Sequence, residues 1–264
     1  MAKAASKKAE SKLPKLELWK VETLRLTAFH HLGTQGSDND WWETTVGAQP
    51  ESKTMKPRDG GYEVTGPFSN GILMLKADIL RFDWLYSAAI NVERPIAMLP
   101  SLGAFPEACD TFVTLVKKWL PIAPDLRRIA FGAVVLQDVT DRVAGYELAD
   151  RYLHAVDIDP EGSSEFSYSI NRARTVSEFD ELRINRLSRW SVARFQPMTA
   201  MVVGGQQGPQ TSTVFGDAVN AVRVELDINT DADRTIPLPK QHFTSMFVRL
   251  VQFGTEILEK GDIK

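Results

Sequence analysis

Hydrophobic and polar positions change their period several times along the chain, and each change marks an element. Over 16–29 apolar and polar residues alternate for most of the run, which predicts a half-buried strand. Ser37, Asp38, Asn39 and Asp40 then offer N-cap oxygens to a short helix carrying Trp41 and Trp42. A polar loop with proline and glycine is expected over 47–61. Strands over 62–68 and 72–86 follow, joined by the turn Ser69-Asn70-Gly71. Pro106 stands at a first-turn position, and Phe105, Cys109, Phe112, Val116 and Trp119 recur at helical spacing until Pro121 stops the helix.

A second cycle begins at Ile129. The valine-rich run 130–137 predicts a buried strand, and 141–153 a helix with Val143, Tyr146, Ala149 and Leu153 on one side. Two runs, 166–174 and 182–195, each contain the tripeptide Ile-Asn-Arg, at 170–172 and 184–186. The short acidic connector 175–181 predicts an antiparallel hairpin in which Asn171 faces Asn185. The segment 204–208 reads as a hairpin tip, and 221–228 as a strand. A final helix over 240–259 aligns Phe243, Met246, Phe247, Leu250, Phe253, Ile257 and Leu258. Gly254 inside it predicts a close backbone crossing, and Gly261 is placed to end it.

These elements predict an α+β fold: antiparallel sheets with long helices packed on one face, in two pseudo-repeated halves of order strand-helix-strand-strand-helix. The expected division is a disordered basic tail over 1–14, an N-terminal lobe over 15–125 and a C-terminal lobe over 126–264. The layout resembles a sporadically distributed bacterial family of uncharacterised proteins of about this length. The resemblance rests on the first strand and its Trp-bearing helix, the Phe112/Trp119 helix leading into Ile129-Ala130-Phe131-Gly132, the strand end Leu226-Asp227-Ile228-Asn229, and the last helix with His242 and Phe253. It implies a two-lobed α+β fold and carries over no functional residues.

Charge changes the picture in one place. The net charge is −3, but the first twenty residues carry +4, which leaves the body at −7. An acidic body argues against a general nucleic-acid binder. The single Cys109 excludes an internal disulfide, and cytoplasm is the expected setting. The sequence contains no apolar run of membrane-spanning length, and no hydrophobic stretch follows the basic N-terminus as a secretory signal would require.

Candidate chemistry centres on the hairpin. Arg172, Arg174 and Arg186 are expected on its core-facing side, with Arg183, Arg189 and Asn185 on the opposite face. Planar forked donors so arranged suit a phosphate, a carboxylate or an acidic side chain of a partner. The competing expectation is pairing with Glu165, Glu178, Asp180 and Glu181, which would only clothe the hairpin. The run Asp157 to Gly162 resembles the start of a calcium loop, but position twelve is Tyr168 rather than a bidentate glutamate; Asp227 to Asp233 repeats the spacing without the glycine. Both read as turns. Adjacent His30 and His31 point to opposite strand faces and cannot share a metal. One of Trp41 and Trp42 is expected to face outward unless the 47–61 loop folds over it.

The sequence therefore predicts a non-enzymatic binding or interaction protein that contacts a protein partner or an anionic ligand. Its contact residues are Arg172, Arg174, Arg186, Asn171, Asn185, Arg183, Arg189 and Trp42. One alternative is an enzyme acting on a phosphorylated or anionic small molecule, with Asp157 and Asp159 supplying acid–base or metal chemistry. A second is a nucleic-acid-associated component aided by the lysine tail. No catalytic residue, metal or cofactor is assigned.

Overall fold

The computed structural model describes residues 13–30, 40–56, 60–89, 99, 101–196, 198–205, 208–234 and 236–263; of 198–205 and 208–215 only the backbone belongs to this set. Residues 1–12 of the basic tail, His31, and the N-cap candidates Ser37, Asp38 and Asn39 lie outside it. In chain order the elements are β1 (Lys20–His30), α1 (Trp41–Val46), β2 (Ser52–Lys56), β3 (Gly61–Phe68), β4 (Gly71–Ala77), β5 (Arg81–Ala88) and α2 (Phe105–Trp119). The chain continues with β6 (Leu126–Val139), α3 (Arg142–Tyr152), β7 (Ser167–Asn171), β8 (Arg174–Val176), β9 (Leu182–Phe195), β10 (Met198–Gly205), β11 (Gly208–Phe215), β12 (Val219–Thr230) and α4 (Phe243–Lys260).

Ten strands form one antiparallel sheet in the order β2-β3-β4-β5-β1-β6-β12-β9-β7, with β8 also paired to β9; β10 and β11 make a separate hairpin. This overturns the expected fold of separate sheets overlaid by long helices in two repeated halves. β1 hydrogen-bonds β6 along most of its length, so strands from both sides of the 125/126 boundary continue one ladder. The four described α-helices are short beside that sheet, and the halves are unequal: four strands separate α1 from α2, but six separate α3 from α4. Two local causes hid strands from the pattern. β2 lies inside the polar stretch read as a loop. The run 72–86 is two strands, because Asp78 Oδ1 accepts the backbone N–H groups of Leu80 and Arg81, both at 2.9 Å, and turns the chain.

β6 is bonded on both sides, and its side chains alternate between two environments. Ile129, Phe131, Ala133 and Val135 enter the main core. Arg128, Ala130, Gly132, Val134 and Leu136 face the other way. The core side carries all six tryptophans, each no more than 6% exposed. Trp19, Tyr152 and Trp190 form one aromatic cluster, with ring centroids 5.2–6.1 Å apart. Trp41 meets Phe82 and Trp119 edge-on, and Trp42 stacks on Trp84.

α4 is held by its apolar stripe, with Phe247 edge-on to Phe131 of β6. Gly254 is where it comes nearest to the sheet side chains: a Cβ there would lie 3.0 Å from the Phe131 ring and 3.3 Å from Leu226. The close approach is thus to a ring, not to a second backbone. Gly261, at φ +77°, ends the helix, and Asp262 N–H then bonds Tyr152 O at 3.0 Å. That last turn carries a carboxylate into the protein interior. We expect Gly254→Val to overpack this contact and cost about 1–3 kcal/mol, read as a lower urea midpoint with an unchanged slope.

Candidate functional site

The hairpin exists, with its register displaced. β9 covers the predicted run 182–195, but its partner is two short strands; between them Arg172 N–H still donates to Arg186 O at 3.2 Å. Asn171 pairs with Leu187, not Asn185, a shift of two residues that leaves every side chain on its expected face. The Asn171 side chain holds the break in place. Its Oδ1 accepts Arg186 N–H at 2.9 Å, while its Nδ2 donates to Asn185 Oδ1 at 3.0 Å.

Arg172, Arg174 and Arg186 do converge on the core side, and carboxylates of the C-terminal segment meet them there. Asp262 accepts Arg172 Nε at 2.7 Å and Nη2 at 3.0 Å, a bidentate pair, and also accepts the Tyr168 hydroxyl at 2.7 Å. Glu256 accepts Arg174 at 2.8 Å and Arg186 at 3.3 Å. The neighbours expected as partners, Glu165, Glu178, Asp180 and Glu181, are local in sequence; these partners lie 70–90 residues away. The Arg186 side chain has no solvent exposure and lies over the Phe253 ring. Burial, reinforced by Arg174, pushes its pKa down to about 10. Burial alone would raise the Asp262 carboxyl, but the hydrogen bonds from Arg172 and Tyr168 hold it below the ordinary carboxylate range. Glu256 is likewise lowered, its burial outweighed by Lys260, Arg174 and Arg186.

These three arginines therefore act as internal struts. Trp42, a contact residue only if it faced outward, is 5% exposed and stacked on Trp84 in the core, so it offers nothing to a partner. The Asp157–Gly162 turn instead receives a cation the chain itself supplies: the Arg142 guanidinium donates to its carbonyls at Pro160 and Glu161 and to that of the following Ser163. Asp227 and Asn229 are not in a turn but inside β12. His30 is buried and stacked on Phe82, His154 is exposed after α3, and His242 lies near Phe179.

On the opposite face, Arg183, Arg189, Asn185 and Asn171 project together with side chains from β5, β1, β6 and β12. An amide ladder crosses it: Asn185 Nδ2 donates to Asn229 Oδ1 at 3.1 Å, Arg128 donates to the same oxygen at 2.8 Å, and Asn229 Nδ2 donates to Asp227 at 3.0 Å. One row of paired residues runs Leu85–Arg25–Gly132–Asp227–Leu187 across five strands. At its centre is a cavity of about 240 Å³ lined by Thr23, Arg25, Gly132, Val134, Arg189 and Asp227 among others.

Gly132 makes this cavity. With no side chain there, the Arg25 guanidinium lies against the backbone, where a Cβ would sit 3.2 Å from Nε and 3.3 Å from Nη2. Arg25 Nε is buried without a hydrogen-bond partner, and Arg25 makes no ion pair among the described residues. Arg189, 55% exposed, pairs with Glu225 at 3.5 Å, and Arg223 bonds Glu225 as well. A planar cation with unfilled donors beside a pocket is an arrangement for binding an anionic group.

Of this set, the expected contact residues include Arg189 but not Arg25, Gly132 or Asp227. The one signal in the sequence is Gly132, an isolated glycine inside a valine-rich strand. Compared with known proteins, the chain matches no family model and no curated protein. No described helix is long and apolar enough to cross a membrane.

Glu256→Gln should leave Arg186 buried against Arg174 without its bonded counter-charge. The expected cost is roughly 3 kcal/mol at neutral pH, the low end for orphaning a buried charge, because Glu256 itself is 22% exposed; urea unfolding measures it. Both carboxylates are lowered in the folded state, so their stabilisation is complete above the ordinary carboxylate range and fades as pH drops through their folded values. Wild-type stability should therefore fall below about pH 4, and Asp262→Asn should flatten that acid limb.

Proposed function

We propose that this is a non-enzymatic binding protein that holds an anionic group on the outer face of its sheet. The observation that carries the reading is Arg25: a half-buried guanidinium with an unpartnered Nε, set over Gly132 at a cavity of small-molecule size. Arg189 from the hairpin lines the same cavity, so the hairpin contributes through its outward arginines. Arg172, Arg174 and Arg186 support the reading indirectly, by fixing β7–β9 to α4 from the inside.

Binding is favoured over catalysis because the cavity's polar side chains are two arginines, two carboxylates and the Thr23 hydroxyl, which faces Ser87 Oγ at 3.4 Å and no base. The cavity lining contains neither a histidine nor a nucleophile–base pair. The cytoplasm is the proposed setting. Its support is a lone Cys109 that is buried in α2, where burial and Asp110 push the thiol up to about 12 and keep it unreactive.

The test is titration of the purified chain with 4-methylpentanoate and with inorganic phosphate, followed by calorimetry. Saturable binding of at least one is expected, and Arg25→Met should weaken it about tenfold or more. Arg172→Met should lower the melting temperature yet leave the affinity unchanged. Equal affinity in wild type and Arg25→Met would remove the reading.

A further inference from the structure

The cavity holds a second charge that an anion alone would not want. Asp227 stands on the other side of Gly132 from Arg25, in the same row of the sheet. Strand spacing puts the two Cα atoms about 10 Å apart, and the Arg25 head already lies over the strand between them. The two groups nevertheless form no ion pair, and among the described residues Asp227 accepts one hydrogen bond, from Asn229 to Oδ1. A carboxylate can accept about four, so most of its capacity is open.

Glu225 does not change this balance. Arg189 and Arg223 both engage it. Arg25 and Asp227 are thus the unneutralised pair of the pocket, one of each sign. A simple anion seated on Arg25 would feel the Asp227 charge at short range, and the cost of that repulsion grows as water leaves the cavity. A simple cation on Asp227 would meet Arg25 in the same way. A ligand carrying both charges on two groups attached to one carbon removes both penalties at once.

Size and lining narrow the class. The cavity, about 240 Å³ and open on one side, accommodates a molecule of amino-acid size. Leu85 and Leu187 close the two ends of the row and Val134 flanks it, which gives the uncharged part of a ligand an aliphatic surface. We propose that the cavity binds a free α-amino acid with an aliphatic side chain, its carboxylate on the Arg25 guanidinium and its ammonium on the Asp227 carboxylate. The inference rests on the anion-binding reading of Arg25 and adds the cationic half of the ligand.

The experiment is isothermal calorimetry on the full chain with three probes: L-leucine, 4-methylpentanoate, which lacks the ammonium, and 3-methylbutylamine, which lacks the carboxylate. L-Leucine should bind about tenfold tighter than either analogue, the return on one added charge-assisted hydrogen bond. Asp227→Asn should erase the advantage over 4-methylpentanoate, weakening L-leucine while 4-methylpentanoate, freed of the Asp227 charge, binds at least as tightly as to the wild type. Gly132→Val should abolish all binding by filling the floor of the cavity, with an intact circular-dichroism spectrum. L-Leucine and 4-methylpentanoate binding equally would overturn the zwitterion inference and leave the anion reading standing. Tight binding of 3-methylbutylamine, or no binding of any probe, would overturn both. The analogue series uses only the wild-type chain, so a folding defect in either variant does not blunt the test.

Discussion

β6 is hydrogen-bonded on both sides, and that constraint governs the rest of the molecule. A strand with two neighbours can place its side chains only above or below the sheet. Below, Ile129, Phe131, Ala133 and Val135 join a core shared with α2 and α4. Above, Gly132 leaves a vacant position between β1 and β12. Because register is rigid in the middle of a sheet, that position is set by strand pairing; the Arg25 guanidinium lies over it and Asp227 stands beside it. The cavity is a consequence of pairing, not of any loop.

The hairpin shows how one strand can serve two purposes. Alternation along β9 sends Arg186 inward and Arg183 and Arg189 outward. A guanidinium taken out of water needs a partner, and Arg186 obtains it from Glu256 and the face of Phe253. The same helix and its tail neutralise Arg174 and Arg172. These contacts join residues far apart in sequence, so they close the C-terminal third of the chain onto itself. Their worth is in position: the inner ion pairs hold β7, β8 and β9 in the register that sets Arg189 beside the cavity.

Much of the local structure was legible. The helical spacing of Phe105 to Trp119 named its element within a residue or two, and the valine run named β6 but missed its first four residues. The faces of the hairpin arginines were also readable, since a period of two survives a register shift of two. Global assembly was not readable, because nothing in the local pattern says that β1 continues the ladder of β6. Nor could the sequence identify Asp262 and Glu256 as the partners of Arg172 and Arg186, which depends on where a helix ends in space. The placement of Trp42 was not readable for a related reason: the six-residue α1 buries both adjacent tryptophans, Trp41 against Phe82 and Trp119 and Trp42 on Trp84, through contacts with β5 and α2 that lie far along the chain. The site was hidden because Arg25, Gly132 and Asp227 come from three strands more than ninety residues apart. Only the isolated glycine hinted at it.

The most direct probe of this account is the Arg25 Nε–H resonance in a proton–nitrogen correlation spectrum of the arginine side chains. The ligand-free chain should show it without a strong acceptor, and addition of L-leucine should shift it downfield and slow its exchange while the Arg186 signal stays still. An Arg25 signal unmoved through the titration, or one already carrying a charge-assisted bond to Asp227 before any ligand is added, would contradict the central claim.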